Sequence, residues 1–313
     1  MPIDPTARVL IDAMEKNFPA LDPTISGTEM RARVEQAAAK VMPAAHDPEP
    51  VGEVINRTVP GPGGDISVRI YRPAIPAGEV VPIAAFFHGG GFVLCDLDSH
   101  DGICRAICNA GPAVVVAVDY RRAPESRYPA AVDDCYAVTL WASEHAEELG
   151  GDPQRLAVIG DSAGGNLAAA VALMARDRKA PQLAHQVLVY PMLDWNGDSA
   201  SHREMGPDYY LKHEEVMYYW GEYLADASQG REPYASPSFA ADFSGLAPAL
   251  IATAEFDPLR DEGEAYADSL AAAGVSVIKH RYDGMFHSFW SFLGILPAAT
   301  ELRDEVAAFL YSS

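Results

Sequence analysis

Positive charge is scarce in this sequence: 23 lysines and arginines face 44 aspartates and glutamates in 313 residues, a formal net charge of −21. So acidic a balance repels nucleic-acid phosphates and anionic lipid surfaces, which argues against any polyanionic partner. Cysteine is scarcer still. Four cysteines, with no Cys-x-x-Cys pair, are too few for a disulfide scaffold and lack zinc-ligand spacing, so no metal centre is expected and a reducing interior is the simplest setting. Long apolar runs are missing as well. The first twenty residues include Asp4, Arg8, Asp12, Glu15 and Lys16, without the ~7 to 15 consecutive apolar residues of a secretory leader, so the expected location is the cytoplasm. The uncharged tract 288–300 contains Pro297 and falls short of the ~20 residues that span a bilayer, so no transmembrane helix is expected.

What remains is a core-forming chain. Apolar residues make up 49% and charged residues 21%, the balance of a globular protein. Runs rich in Val, Ile, Leu and Ala at 82–87, 113–119, 155–160, 185–190, 249–254 and 276–282 lack clean polar alternation, as parallel strands covered on both faces do. Between them, 128–149, 164–178, 261–273 and 300–311 carry apolar residues at helical spacing, which predicts a doubly wound α/β sheet. Residues 52–73, with Gly61-Pro62-Gly63-Gly64 in the middle, read as an antiparallel hairpin at the sheet edge. Two segments fall outside the alternation. Residues 1–48 contain a capping-box pattern, Ser26 with Glu29, ahead of a helical face bearing Met30, Val34 and Ala38. Residues 194–231 contain a helix at 214–225 with Tyr218, Tyr219, Trp220 and Tyr223. Together they are expected to form a helical cap over the strand ends, leaving 49–193 and 232–313 as the catalytic unit; core packing is the competing role for the aromatics.

The strongest chemical signal is Gly160-Asp161-Ser162-Ala163-Gly164, which follows one strand and opens a helix. A strand that turns this sharply forces the serine into a strained backbone and leaves no room for side chains two residues away, while exposing its hydroxyl. The Ala163 N–H then lies at a helix start, where negative charge is stabilised. His88-Gly89-Gly90-Gly91-Phe92 follows another strand, and its bare backbone can aim the Gly89 and Gly90 N–H groups at an oxyanion. No Lys-Ser/Thr pair follows, which excludes a phosphate-binding P-loop. His88 itself reads as a brace for the glycines.

A serine hydroxyl needs an imidazole base and a carboxylate to orient it. Of nine histidines, His287 lies beyond the last strand and before the C-terminal helix, in the order nucleophile, acid, histidine. His46, His88 and His100 precede the serine, and His280 falls within a strand. Asp257, just past the strand 249–254 and followed by Pro258, is the expected acid; Glu255 is the alternative. Asp283 is expected to form a turn and Asp161 to serve structure.

These motifs, with Asp119-Tyr120-Arg121-Arg122-Ala123-Pro124-Glu125, Tyr128-Pro129-Ala130-Ala131 and Asp257-Pro258-Leu259-Arg260-Asp261, resemble the hormone-sensitive lipase family of bacterial esterases over residues 75–295. The resemblance implies an α/β-hydrolase fold with Ser162, Asp257 and His287 as triad and Gly89, Gly90 and Ala163 as oxyanion donors. It also implies a helical cap and hydrolysis of short to medium acyl esters, small-molecule substrates, without a cofactor. Look-alikes often form a homodimer through the last strand edge. An amidase or formamidase of the same fold, or a ligand receptor that has abandoned catalysis, are the alternatives. Three residues depart from the family pattern: Cys95 and Ser288 stand where glycine is usual, and Arg122 where leucine is. Cys95 is expected to be a small buried hydrophobe, with a reactive thiol as the alternative.

Overall fold

All seven residues of Val81–Phe87 are buried; Ile83, Ala85 and Phe87 join one hydrophobic cluster while Ala84 and Phe86 join another. A strand that feeds two cores must have layers on both faces, which explains its lack of polar alternation. The computed structural model describes residues 2–41, 48–76, 78–205 and 209–312; His46 lies outside them. In chain order the elements are α1 (Pro5–Asn17), α2 (Gly27–Val41), β1 (Glu53–Gly61), β2 (Gly64–Arg72), β3 (Val81–Phe87), α3 (Asp101–Ala110), β4 (Val114–Asp119), α4 (Ala130–Glu144), α5 (Ala146–Leu149), β5 (Gly151–Asp161), α6 (Ala163–Arg178), β6 (His185–Val189), α7 (Ala200–Glu204), α8 (His213–Tyr223), β7 (Ala249–Phe256), α9 (Arg260–Ala272), β8 (Val277–Phe286) and α10 (Pro297–Phe309). The strands form one sheet in the order β1-β2-β4-β3-β5-β6-β7-β8. Among the described residues, only the β1–β2 and β2–β4 pairs are antiparallel. The predicted hairpin is present, with Gly61 opposite Gly64 across Pro62-Gly63.

One core, around Val138, Leu167, Val171 and Tyr266, packs α4, α6 and α9 on the sheet. The other, around Ile107, Leu302 and Val306, packs α3 and α10 on the opposite face, and Ile11 of α1 joins it beside β8. The structure departs from the sequence reading in three places. The expected helix 128–149 is two helices broken at His145, whose backbone N–H and Nδ1 both bond the Trp141 carbonyl. Residues 284–286, expected in a loop, extend β8, and Asp283 is an exposed strand residue rather than a turn former. Helix α1 was not expected. Asp4 caps it through Oδ1 to the N–H groups of Thr6 and Ala7, Pro5 occupies its first turn, and Ala7 and Ile11 bury against the β8 side of the sheet.

Candidate active site

Strand register brings the site together. Phe256 of β7 pairs with Phe286 of β8, after a register shift at Ala254. The next residues, Asp257 and His287, therefore leave adjacent parallel strands side by side. Phe87 of β3 likewise pairs with Gly160 of β5, so the glycine loop and the serine elbow emerge together. All lie beyond the carboxyl ends of the strands, where ligands bind in open α/β sheets.

His287 Nδ1 donates to Asp257 Oδ2 at 2.7 Å, and His287 Nε2 accepts from Ser162 Oγ at 2.9 Å. Asp257 is fully buried, His287 4% exposed and Ser162 8% exposed, so the chain of bonds runs from interior to surface. The second oxygen of Asp257 accepts the Leu259 N–H at 2.9 Å, which fixes the carboxylate plane. Glu255 is turned elsewhere, accepting the Gly284 N–H at 2.7 Å. The Tyr190 ring sits 4.7 Å from the His287 ring and limits its swing.

Ser162 has φ 55 and ψ −118, the strained conformation expected of the elbow. A Cβ on Gly160 would stand 2.1 Å from the Gly164 carbonyl oxygen, and one on Gly164 would stand 1.9 Å from the Phe87 carbonyl oxygen. Backbone lies where side chains would have to go, which is why glycine occupies both positions. The strain is held by bonds on either side: the Ser162 N–H donates to Val189, and its carbonyl accepts from Asn166 and Met192.

The glycine loop is braced from beneath. His88 Nδ1 donates to the Gly89 carbonyl at 2.8 Å, its ring stacks on Tyr120 at 4.3 Å, and Tyr120 Oη donates to the His88 carbonyl at 2.8 Å. Burial, then the neighbouring His100, push the His88 pKa down to about 3, so the ring is neutral. Asp161 accepts the Gly89 N–H at 2.9 Å and faces His100 Nε2 at 3.1 Å. Burial alone raises the Asp161 pKa, but His100 and the Gly89 N–H together hold it below the usual carboxylate range. The sequence places Gly89 among the oxyanion donors. Its N–H is already committed to Asp161, which removes it from that set. Among the described residues, the N–H groups of Gly90, Gly91 and Ala163 have no acceptor.

The aromatics of α8 divide. Trp220 and Tyr223 are buried and pack on Phe92, the Tyr223 ring at 3.7 Å, so they are core. Tyr219 lies over the glycine loop, where a Cβ on Gly91 would meet its ring at 2.3 Å. Sequence periodicity could not assign these directions, because α8 is aromatic around most of its circumference.

The three departures from the family pattern also find places. Cys95 and Ser288 adopt φ 65 and φ 72, the left-handed conformation glycine adopts most easily. Arg122 donates from Nη1 to the Cys95 carbonyl. Cys95, expected to be a buried hydrophobe, is only half-buried; desolvation still pushes its thiol up to about 12, which keeps it protonated at neutral pH. Among the described residues no group of three or more His, Cys, Asp or Glu could hold a metal ion, and no helix is long and apolar enough to cross a membrane.

Comparison with known proteins agrees with this geometry. Residues 84–291 match the family described as the alpha/beta hydrolase fold. The carboxylesterase NlhH of Mycobacterium tuberculosis is 40% identical, over 96% of this chain and 92% of its own. Carboxylic ester hydrolase LipN of the same organism is 40% identical, over 92% of this chain and 77% of its own. The hyperthermophilic esterase of the archaeon Pyrobaculum calidifontis superposes with a TM-score of 0.91 at 41% identity, covering 99% of this chain and 98% of that one. With a serine, a histidine and a buried aspartate joined as a triad within it, this chain belongs to the hormone-sensitive-lipase-like esterases of the α/β-hydrolase fold.

Proposed function

We propose that the protein hydrolyses short to medium acyl esters of small molecules through an acyl-enzyme on Ser162. The observation that carries this is the continuous hydrogen-bonded line from Asp257 through His287 to Ser162 Oγ. In the first half-reaction His287 Nε2 takes the Ser162 proton as Oγ attacks the ester carbonyl carbon. The carbonyl π pair moves onto oxygen, and the N–H groups of Gly90, Gly91 and Ala163 hold that oxyanion; Gly90 and Ala163 are retained from the sequence expectation and Gly91 replaces Gly89. Collapse expels the alcohol, which leaves with the proton from His287. Water then repeats the sequence on the acyl-enzyme and returns the carboxylic acid. Asp257 keeps Nδ1 protonated throughout, so that Nε2 is the basic nitrogen.

We read residues 1–48 and 194–231 as the cap. Support comes from the Gly27 N–H donating to Glu222 at 2.7 Å and Tyr218 Oη donating to the Ile25 carbonyl, which join α2 to α8. Tyr219 lies against Gly91 of the glycine loop, next to the proposed oxyanion donors. The cytoplasm remains the proposed location, in keeping with four free cysteines. A homodimer through β8 also goes with this reading, since β8 ends the sheet order and Ile278 is exposed.

The test is a pre-steady-state experiment with p-nitrophenyl esters of increasing chain length. The expected result is a nitrophenol burst equal to enzyme concentration and an acyl adduct in the intact mass, with turnover falling for long chains. An anilide turned over faster than the matching ester would shift the assignment to an amidase.

A further inference from the structure

We infer that Arg31, on α2, is a positioning residue for the glycine loop, so that the N-terminal segment takes part in forming the oxyanion site. The inference rests on the esterase reading above. Arg31 Nε donates to the Val93 carbonyl at 2.7 Å, and Nη2 donates to the Ala123 carbonyl at 2.8 Å and to Glu125 Oε2 at 2.6 Å. Only 14% of the side chain is exposed. One planar guanidinium thus ties together two stretches of backbone and a carboxylate, a geometry that a lysine ammonium cannot reproduce.

Those two stretches hold the loop. The N–H groups of Val93 and Leu94 both donate to the Gly90 carbonyl, at 3.1 and 2.7 Å, closing the turn that carries Gly90 and Gly91. The Ala123 N–H donates to the Phe92 carbonyl at 2.9 Å. Arg31 grips the opposite face of both peptide segments, at Val93 O and Ala123 O. Gly90 itself has φ 108, and a Cβ there would stand 2.5 Å from the Leu94 carbonyl oxygen, so the turn has little slack. At its far end Arg122 holds the Cys95 carbonyl. The start of α2 is seated on the same chain, since a Cβ on Gly27 would come 2.9 Å from both Val93 Cγ1 and Pro124 Cδ.

Arg31 is not the only anchor of α2. Glu222, Tyr218 and the Thr28–Glu125 bond also hold it. Removing the guanidinium therefore leaves the helix docked but strips two carbonyls of their donor and lets the turn shift. Oxyanion donors count in the transition state and little in the ground state, so the loss falls on kcat rather than KM.

The experiment compares Arg31→Ala, Arg31→Lys and Arg33→Ala on a p-nitrophenyl ester. Arg33 is two residues along the same helix, 45% exposed, and among the described residues pairs with Glu29 and Asp22, away from the glycine loop, so its loss leaves kcat unchanged. For Arg31→Ala a shift of the donors by about 1 Å predicts a kcat ~10- to 100-fold lower, with KM within ~threefold. Reaction with a serine-directed phosphonate slows in parallel, and millimolar guanidinium ion, but not methylammonium, restores part of kcat. Arg31→Lys, which keeps charge but not the fork, is expected between wild type and alanine, and it carries the test if the alanine variant does not fold. Arg31 variants with the kcat of Arg33→Ala, a rise in KM alone, or a kcat loss that guanidinium does not relieve would overturn the inference. An enzyme with Ser162→Ala that still turns over ester would instead overturn the esterase reading beneath it.

Discussion

His88 offers a quantitative test of how the glycine loop is supported. In the folded chain its pKa is about 3 instead of 6.5, because the ring is buried and lies next to His100. An unfolded chain protonates this residue near its ordinary value of ~6.5. Between these two values the unfolded state binds more protons than the folded state, so stability rises with pH across that window. Its contribution is therefore whole above the unfolded value and is lost progressively as pH falls towards the folded one. At pH 5 the loss from this residue is about 1.5 pKa units, or ~2 kcal/mol. Replacing it as His88→Asn keeps an N–H that can reach the Gly89 carbonyl and removes the titration. Urea unfolding of both proteins at pH 8 and pH 5 reads the effect, since groups away from His88, His100 and Asp161 titrate alike in the two. Wild type is expected to lose ~2 kcal/mol more than the variant on acidification. Equal losses would refute a neutral, buried His88 beneath the loop.

Other perturbations reach the rest of the site. Gly164→Ala would drive a Cβ to 1.9 Å from the Phe87 carbonyl oxygen; because the obstacle is backbone at Phe87 and His88 and not a movable side chain, the expected cost exceeds ~3 kcal/mol, seen as a lost or much lowered thermal transition. Asp257→Asn preserves shape but removes the charge facing His287 Nδ1, and kcat on a p-nitrophenyl ester is expected to fall ~10³- to 10⁴-fold while circular dichroism stays unchanged. Ser288→Gly relieves a side chain held at φ 72 and should raise stability by ~0.5–1 kcal/mol in urea titrations, whereas a decrease would mean that the hydroxyl serves the His287 turn. Iodoacetamide at neutral pH should leave activity intact, because the Cys95 thiol is pushed up to about 12; rapid inactivation would contradict that environment.

The middle of the sheet was legible because its inner strands are covered on both faces, which writes them as apolar runs such as the five residues 114–118 of β4. The elbow was legible because a strand turning sharply into a helix demands glycine on either side of the serine, although the backbone that excludes a side chain at Gly164 is that of Phe87 on β3. Legibility ended where distant parts of the chain decide direction. Three adjacent glycines give no sign of which N–H faces inward; the Asp161 carboxylate, 72 residues from Gly89, takes the first. His100 looked dispensable because it precedes the nucleophile, yet it pairs with that carboxylate. Arg31 meets Val93 from 62 residues away, and no local pattern announces the contact. Helix α1 does carry a local signal, since Asp4-Pro5 is a cap followed by a first-turn proline. The extension of β8 hid behind Gly284, a residue that ordinarily interrupts strands and here has φ 75.

The most direct test of the account is covalent labelling with an aryl phosphonate followed by peptide mass analysis. Wild type is expected to gain one adduct per chain, on the peptide containing Ser162, with esterase activity lost in proportion to labelling. Ser162→Ala is expected to stay unlabelled and to have lost activity by several orders of magnitude while keeping its fold. A single adduct on another residue, or Ser162→Ala with undiminished turnover, would contradict it.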